Sequence, residues 1–180
     1  MSLENIALIS FGHFEEDFLE KIGEGVTQEF LFPVKIIEGH LDLSEFYDPV
    51  RGQYNGNKLL KVVDDNFSLS YFKTFGLFHV DLYIPILTYI FGQAFLNGRT
   101  GIGSIFRLSN ERYGMKTDKN IIHERLVKEV IHELGHTFGL IHCHIPSCVM
   151  RSSTYVEDID QKSQHLCSNC QSEIRGFLNY

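Results

Sequence analysis

A single mixed α/β domain is the fold class this sequence predicts, on three observations. Short apolar runs, one alternating at a period of two, are interspersed with longer runs whose apolar residues recur every fourth position. At 180 residues and 43% apolar content, the chain can bury one sizeable core. No Gly-, Ser- or Pro-rich linker divides it, and no internal repeat or low-complexity segment is present.

Each element follows from local pattern. Ile6 to Phe11 reads as a strand, after which Phe14, Phe18, Ile22, Val26 and Phe30 recur at intervals of four and predict a long amphipathic helix. Val34 to Ile37 reads as the next strand. Asn57 to Asp65 is a weaker helix, with Leu59, Leu60, Val62 and Val63 on its apolar side. Leu77 to Leu96 has Asp81 as its only charged residue, but Pro85 and Gly92 interrupt it, so two buried strands are expected there and not a membrane helix. In its first half Val80, Leu82 and Ile84 share one face, and His79, Asp81 and Tyr83 the other. Gly101 to Leu108 reads as a strand, and about Asp118 to Phe138 as a helix. Thr117 or Asp118 caps that helix, and Leu126, Val127, Val130, Ile131 and Leu134 form its buried side.

The last helix carries the chemistry, because it contains His132-Glu133-Leu134-Gly135-His136-Thr137-Phe138-Gly139-Leu140-Ile141-His142, an HExxHxxGxxH string. Residues four apart share a helix face, so the neutral imidazoles of His132 and His136 can bind one cation. Glu133 is turned by about 100° around the helix, which puts its carboxylate beside the metal as a general base for a metal-activated water. Gly139 ends the helix in a left-handed cap, and the reversed chain returns His142 as a third ligand. Three protein ligands leave a fourth position open, the pattern of catalytic zinc. An isolated HExxH also recurs on surface helices that bind nothing; the added Gly139 and His142 separate this string from that case.

All four cysteines follow the string, as Cys143-x4-Cys148 and Cys167-x2-Cys170. Four thiolates so spaced suit tetrahedral coordination of a second, structural zinc. Two disulfides compete with this reading, but residues 1–30 show neither the basic nor the apolar region of a secretory signal, so a cytoplasmic, reducing location is expected. A redox role for Cys167 and Cys170 would need a thioredoxin-like βαβ context that the C-terminal third lacks. Since Cys143 adjoins His142, ordering one site should restrict the other.

The string from His132 to His142, with Cys143, Cys148, Met150, Cys167 and Cys170, resembles the archaemetzincin branch of the metzincin zinc peptidases; Phe91 to Leu108 resembles it less diagnostically. The resemblance implies a metzincin-like zincin domain over 1–180, in which a twisted mixed sheet is backed by long helices. Residues 1–141 would supply the sheet and helices, and 142–180 the methionine turn and the four-cysteine zinc clamp. It implies Met150 as an apolar floor beneath the imidazoles, and an edge strand, here assigned to Phe91–Leu96, that pairs with an extended substrate. One departure is Ser152, where some metzincins carry a tyrosine near the zinc; Tyr155 is close in sequence but receives no role.

The expected activity is zinc-dependent peptide hydrolysis with Glu133 as general base, two zinc ions per chain, and a peptide or unfolded segment as substrate. A net charge of −7 without a basic run argues against nucleic acid and anionic membranes as partners, and a monomer is expected. A catalytically silent zinc-stabilised peptide- or protein-binding module is the competing reading, to which an intact Glu133 would be superfluous. His13, His40, His79, His123, His144 and His165 lack a ligand pattern of comparable quality. Aminopeptidase and endopeptidase action are not distinguished by sequence.

Overall fold

The computed structural model describes residues 5–178. Strand β1 (Ile6–Phe11) is buried along its whole length because parallel strands flank it on both sides, β2 (Val34–Gly39) and β5 (Lys73–Phe78). Beyond β5 lie β9 (Thr100–Ser104), also parallel, and then β8 (Gly92–Ala94), which runs antiparallel and forms the outer edge. A smaller sheet orders β3 (Tyr47–Asp48), β4 (Gln53–Asn55), β6 (Leu82–Ile84) and β7 (Leu87–Ile90).

Both faces of the main sheet are covered. Ile6 and Leu8 of β1 join Phe75 and Leu77 of β5 in one core with α1 (Glu16–Phe30) and α3 (Lys119–Thr137). Ala7, Ile9, Phe78 and Ile102 point the other way, against α2 (Gly56–Phe67). Double-sided burial explains why Ile6–Phe11 reads as a continuous apolar run and not as an alternation. The mixed α/β architecture expected from the sequence is therefore the one observed.

Several details differ from expectation, each for a physical reason. The expected strand Gly101–Leu108 stops at Ser104, whose hydroxyl donates to Val80 O at 2.6 Å and accepts from Phe106 N at 3.2 Å, diverting the chain into a turn. Leu77–Leu96 is not two strands but the end of β5 followed by β6, β7 and β8. Asp81 and Tyr83 are buried with their polar groups satisfied: Arg107 makes paired 2.6 Å hydrogen bonds to Asp81, and Tyr83 donates to Asp48 beneath the Arg51 guanidinium. Phe14 precedes α1 and stacks on His79. Two C-terminal helices, α4 (Val156–Gln161) and α5 (Ser168–Leu178), have no counterpart among the expectations; both are short.

Two buried cations hold α3 in place. Arg125 forms a bidentate pair with Asp160 of α4, both distances 2.7 Å, and donates to Leu108 O and Asn110 Oδ1. Lys73 Nζ donates to Thr137 O (2.8 Å) and Gly98 O (2.7 Å) and faces the rings of Phe72, Phe138 and Phe177. It thus caps the C-terminal carbonyls of α3, where a cation is favoured. Among the described residues no helix is long and apolar enough to cross a membrane.

Candidate metal centre

Asp118, not Thr117, caps α3: its Oδ1 accepts from Asn120 N and Ile121 N at 2.9 and 3.2 Å. The other end closes as a Schellman turn, in which Leu140 N donates to Gly135 O and Gly139 N to His136 O, with Gly139 at φ 92°. That left-handed step reverses the chain and brings His142 to the helix face presented by His132 and His136.

The three imidazoles converge. Their ligand nitrogens lie within 4.8 Å of one another, and the Nε2 atoms of His132 and His136 are 3.2 Å apart. A tetrahedral zinc with Zn–N near 2.0–2.1 Å would separate its nitrogens by about 3.3 Å, so the donor set fits that ion. Orientation is fixed from behind: His132 Nδ1 lies 2.8 Å from Val149 O, and His136 Nδ1 lies 2.7 Å from Leu140 O. Each carbonyl requires the proton on Nδ1, which leaves Nε2 as the lone-pair donor toward the shared centre. Burial lowers the pKa of all three imidazoles, that of His132 furthest, which keeps them in the neutral form a metal needs.

Glu133 is buried at 6% exposure beside them. Burial holds its carboxyl well above the ordinary range and the nearby Glu129 adds to this, while Lys162 opposes both. A dication at the imidazoles would act in the same sense as Lys162. Edge strand β8 presses directly on Glu133: a Cβ at Gly92 would stand 2.8 Å from Glu133 Cγ and 2.8 Å from Ile102 O. Met150, fully buried, packs beneath Gly135, where any Cβ would overlap its sulfur. Gly92 of β8 and Gly135 of the string thus allow close approach on two sides of the centre.

The four thiols form a second cluster, with all sulfurs within 4.8 Å of one another. Cys143 and Cys167 are 3.8 Å apart, and Cys148 and Cys170 are 3.9 Å apart. None is in a disulfide. Four sulfurs at about 2.3 Å from a tetrahedral zinc would be spaced by about 3.8 Å, so this cluster also fits. The Cys170 backbone N–H holds the Cys167 thiol down to about 7, while burial raises Cys148. Cys143 N donates to Met150 O at 2.9 Å, and Val149 carries the carbonyl that orients His132. The cysteine-bearing segment therefore contacts both ends of the histidine site. His165 lies outside the thiol cluster, its Nδ1 3.0 Å from Glu29.

A cleft of about 400 Å³ opens onto His132, Glu133 and His142. One wall is Leu87–Gly92 and the other Ser152–Tyr155, joined where Tyr89 OH donates to Thr154 O at 2.8 Å. Sequence reasoning did not anticipate Glu129, Lys162, Tyr89 or Ser153 in this region. Glu129 had a legible signal, since it lies four residues before Glu133 on one helix face; Lys162 had none, because its approach depends on the path of the C-terminal tail.

A helix that carries two imidazoles and a buried carboxylate, met by a third imidazole beyond its end, along a cleft bordered by a sheet edge belongs to the zinc-dependent metallopeptidases, and that is the class of this protein. The model for peptidase family M54 matches residues 16–176. A curated archaemetzincin of Pyrococcus horikoshii is 38% identical over 171 residues, covering 89% of this chain and 87% of its own. The chain belongs to this family, the archaemetzincins. The crystal structure of the Methanopyrus kandleri archaemetzincin superposes with a TM-score of 0.86 at 34% identity, covering 98% of this chain and 96% of its own. That of the Archaeoglobus fulgidus archaemetzincin gives 0.76 at 29% identity, covering 93% and 99%.

Proposed function

We propose that this metallopeptidase hydrolyses peptides or unfolded segments, with zinc held by His132, His136 and His142 and with Glu133 as the general base. The observation that carries the reading is Glu133 buried beside three imidazoles whose ligand nitrogens lie within 4.8 Å of one another, two of them, His132 and His136, with Nε2 freed by a carbonyl on Nδ1. Zinc, when bound, polarises a carbonyl and lowers the pKa of water. Glu133 takes the proton from the attacking water and returns it to the leaving amine, so one carboxylate serves both steps. Its dry setting strengthens both transfers.

Strand β8 supplies substrate alignment. It ends the main sheet and lies against Glu133, so an extended peptide pairing with its free edge would pass along the base. The sequence-assigned segment Phe91–Leu96 contains this strand, which spans Gly92–Ala94.

Cys143, Cys148, Cys167 and Cys170 are proposed to hold a second, structural zinc, giving two per chain. The tail from residue 142 belongs to the same domain in this reading, because Val149, Met150, Ile159 and Ile174 enter the core formed by α1 and α3.

Glu133→Ala tests the assignment. The variant should retain its zinc and lose hydrolysis of an unbiased peptide library by at least about 10²-fold, the usual scale of general-base catalysis. Unchanged turnover would refute the role of Glu133.

A further inference from the structure

We propose that Glu129 is a specificity-determining residue that holds a cationic substrate group next to the scissile bond. This rests on the peptidase reading of the same cleft. Glu129 lies one helical turn before Glu133, about 5–6 Å along α3, and lines the cleft although it is only 3% exposed. Its Oε1 accepts from Lys162 Nζ at 3.4 Å, a long contact, and its Oε2 has no hydrogen-bond partner among the described residues. Lys162 is itself buried and tied to Arg151 O at 3.2 Å, so it serves as a fixed counter-ion behind the carboxylate and does not line the cleft.

A buried carboxylate with one oxygen engaged and the other open accepts a donor, and a cationic donor most strongly. The neighbouring surface suits such a group. Leu87, Ile90 and Phe91 offer apolar cover for an aliphatic stem, while the hydroxyl of Ser153, buried without a partner on the opposite wall, offers a second polar contact. The open oxygen of Glu129 would repel an acidic substrate residue placed beside it. Two chemical sources meet the requirement: a lysine or arginine side chain, or the free amino terminus of a short peptide.

The experiment uses the zinc-loaded chain and four peptides of one sequence. Lysine, norleucine or glutamate stands beside the scissile bond in three acetylated peptides, and the norleucine peptide is repeated with a free amino terminus. Wild-type kcat/KM should favour a cation-bearing peptide over acetylated norleucine by about tenfold, and disfavour glutamate. Which cationic peptide gains identifies the source. In Glu129→Gln, and in Glu129→Gln/Lys162→Met, which leaves no unpaired buried charge, the ratio should fall to within about twofold of unity while zinc content stays at the wild-type value. Binding of the same peptides to Glu133→Ala protein by calorimetry reads recognition without turnover. Tighter binding of a cationic peptide there, with no cleavage by wild type, would sink the hydrolytic reading and leave this one standing. Equal treatment of all peptides, or a preference unchanged in the double variant, would overturn the role of Glu129.

Discussion

Gly92→Ala places a single methyl group between edge strand β8 and the carboxylate of Glu133, the proposed base. The new Cβ would meet Ile102 O and Glu133 Cγ, each at 2.8 Å, about 0.6 Å short of ordinary contact. Ile102 O belongs to the neighbouring strand β9, whose backbone cannot yield independently, so β8 and Glu133 must absorb the displacement. Overpacking of this kind costs about 1–3 kcal/mol, and alanine recovers little of it in a strand. Glu133 is buried and cannot swing into solvent, so its carboxylate shifts relative to the imidazoles. Because a misplacement of about 1 Å costs on the order of 10²-fold, roughly tenfold or more should be lost from kcat/KM for about half that shift. The assay pairs denaturant unfolding with turnover and metal content on the same preparation. A variant with wild-type kcat/KM, zinc and stability would show that β8 does not press on the base and would refute the reasoning.

Two further perturbations test the frame around the centre. Cys143→Ser should weaken zinc at both clusters, because it removes the thiol that would tether the segment adjoining His142; titration with a competing chelator should show both ions leaving earlier than in wild type, and full retention of the histidine-bound ion would sink the coupling. Burial, with Arg99 adding, pulls Lys73 down to about 8 from 10.5. Between those values the unfolded chain binds the proton that the folded chain has shed, so stability rises with pH across that window and falls again as pH drops toward 8. Wild type should therefore gain stability over Lys73→Met between about pH 8 and 10.5 in urea unfolding, and a gap that stays flat or narrows would contradict it.

Much of the candidate site was legible because its proposed ligands are local. The spacing of His132 and His136 is a property of helical geometry, and Gly139 is a property of helix termination; both follow from sequence before any tertiary contact is known. The four cysteines were legible for a similar reason, as two short pairs, although their meeting across the segment from Cys148 to Cys167 needed the fold. Strands were less legible. Lys73–Phe78 passed unread upstream of Leu77 because Lys73 opens it, and only the carbonyls of Thr137 and Gly98 with three aromatic rings make that lysine a buried residue. The partner of Asp81 was likewise unread, because Arg107 lies far along the chain.

By itself, then, the sequence determined which side chains are the candidate donors, which carboxylate is the proposed base, and where the helix bearing them stops. Those are consequences of residue type and short-range backbone geometry. Tertiary structure alone decided what surrounds that chemistry, namely the carbonyls of Val149 and Leu140 that orient two imidazoles, the strand that presses Gly92 onto Glu133, and the Glu129–Lys162 pair in the cleft. Nearly all of these join residues far apart in the chain, and their pairing reflects burial and close approach that no local period encodes.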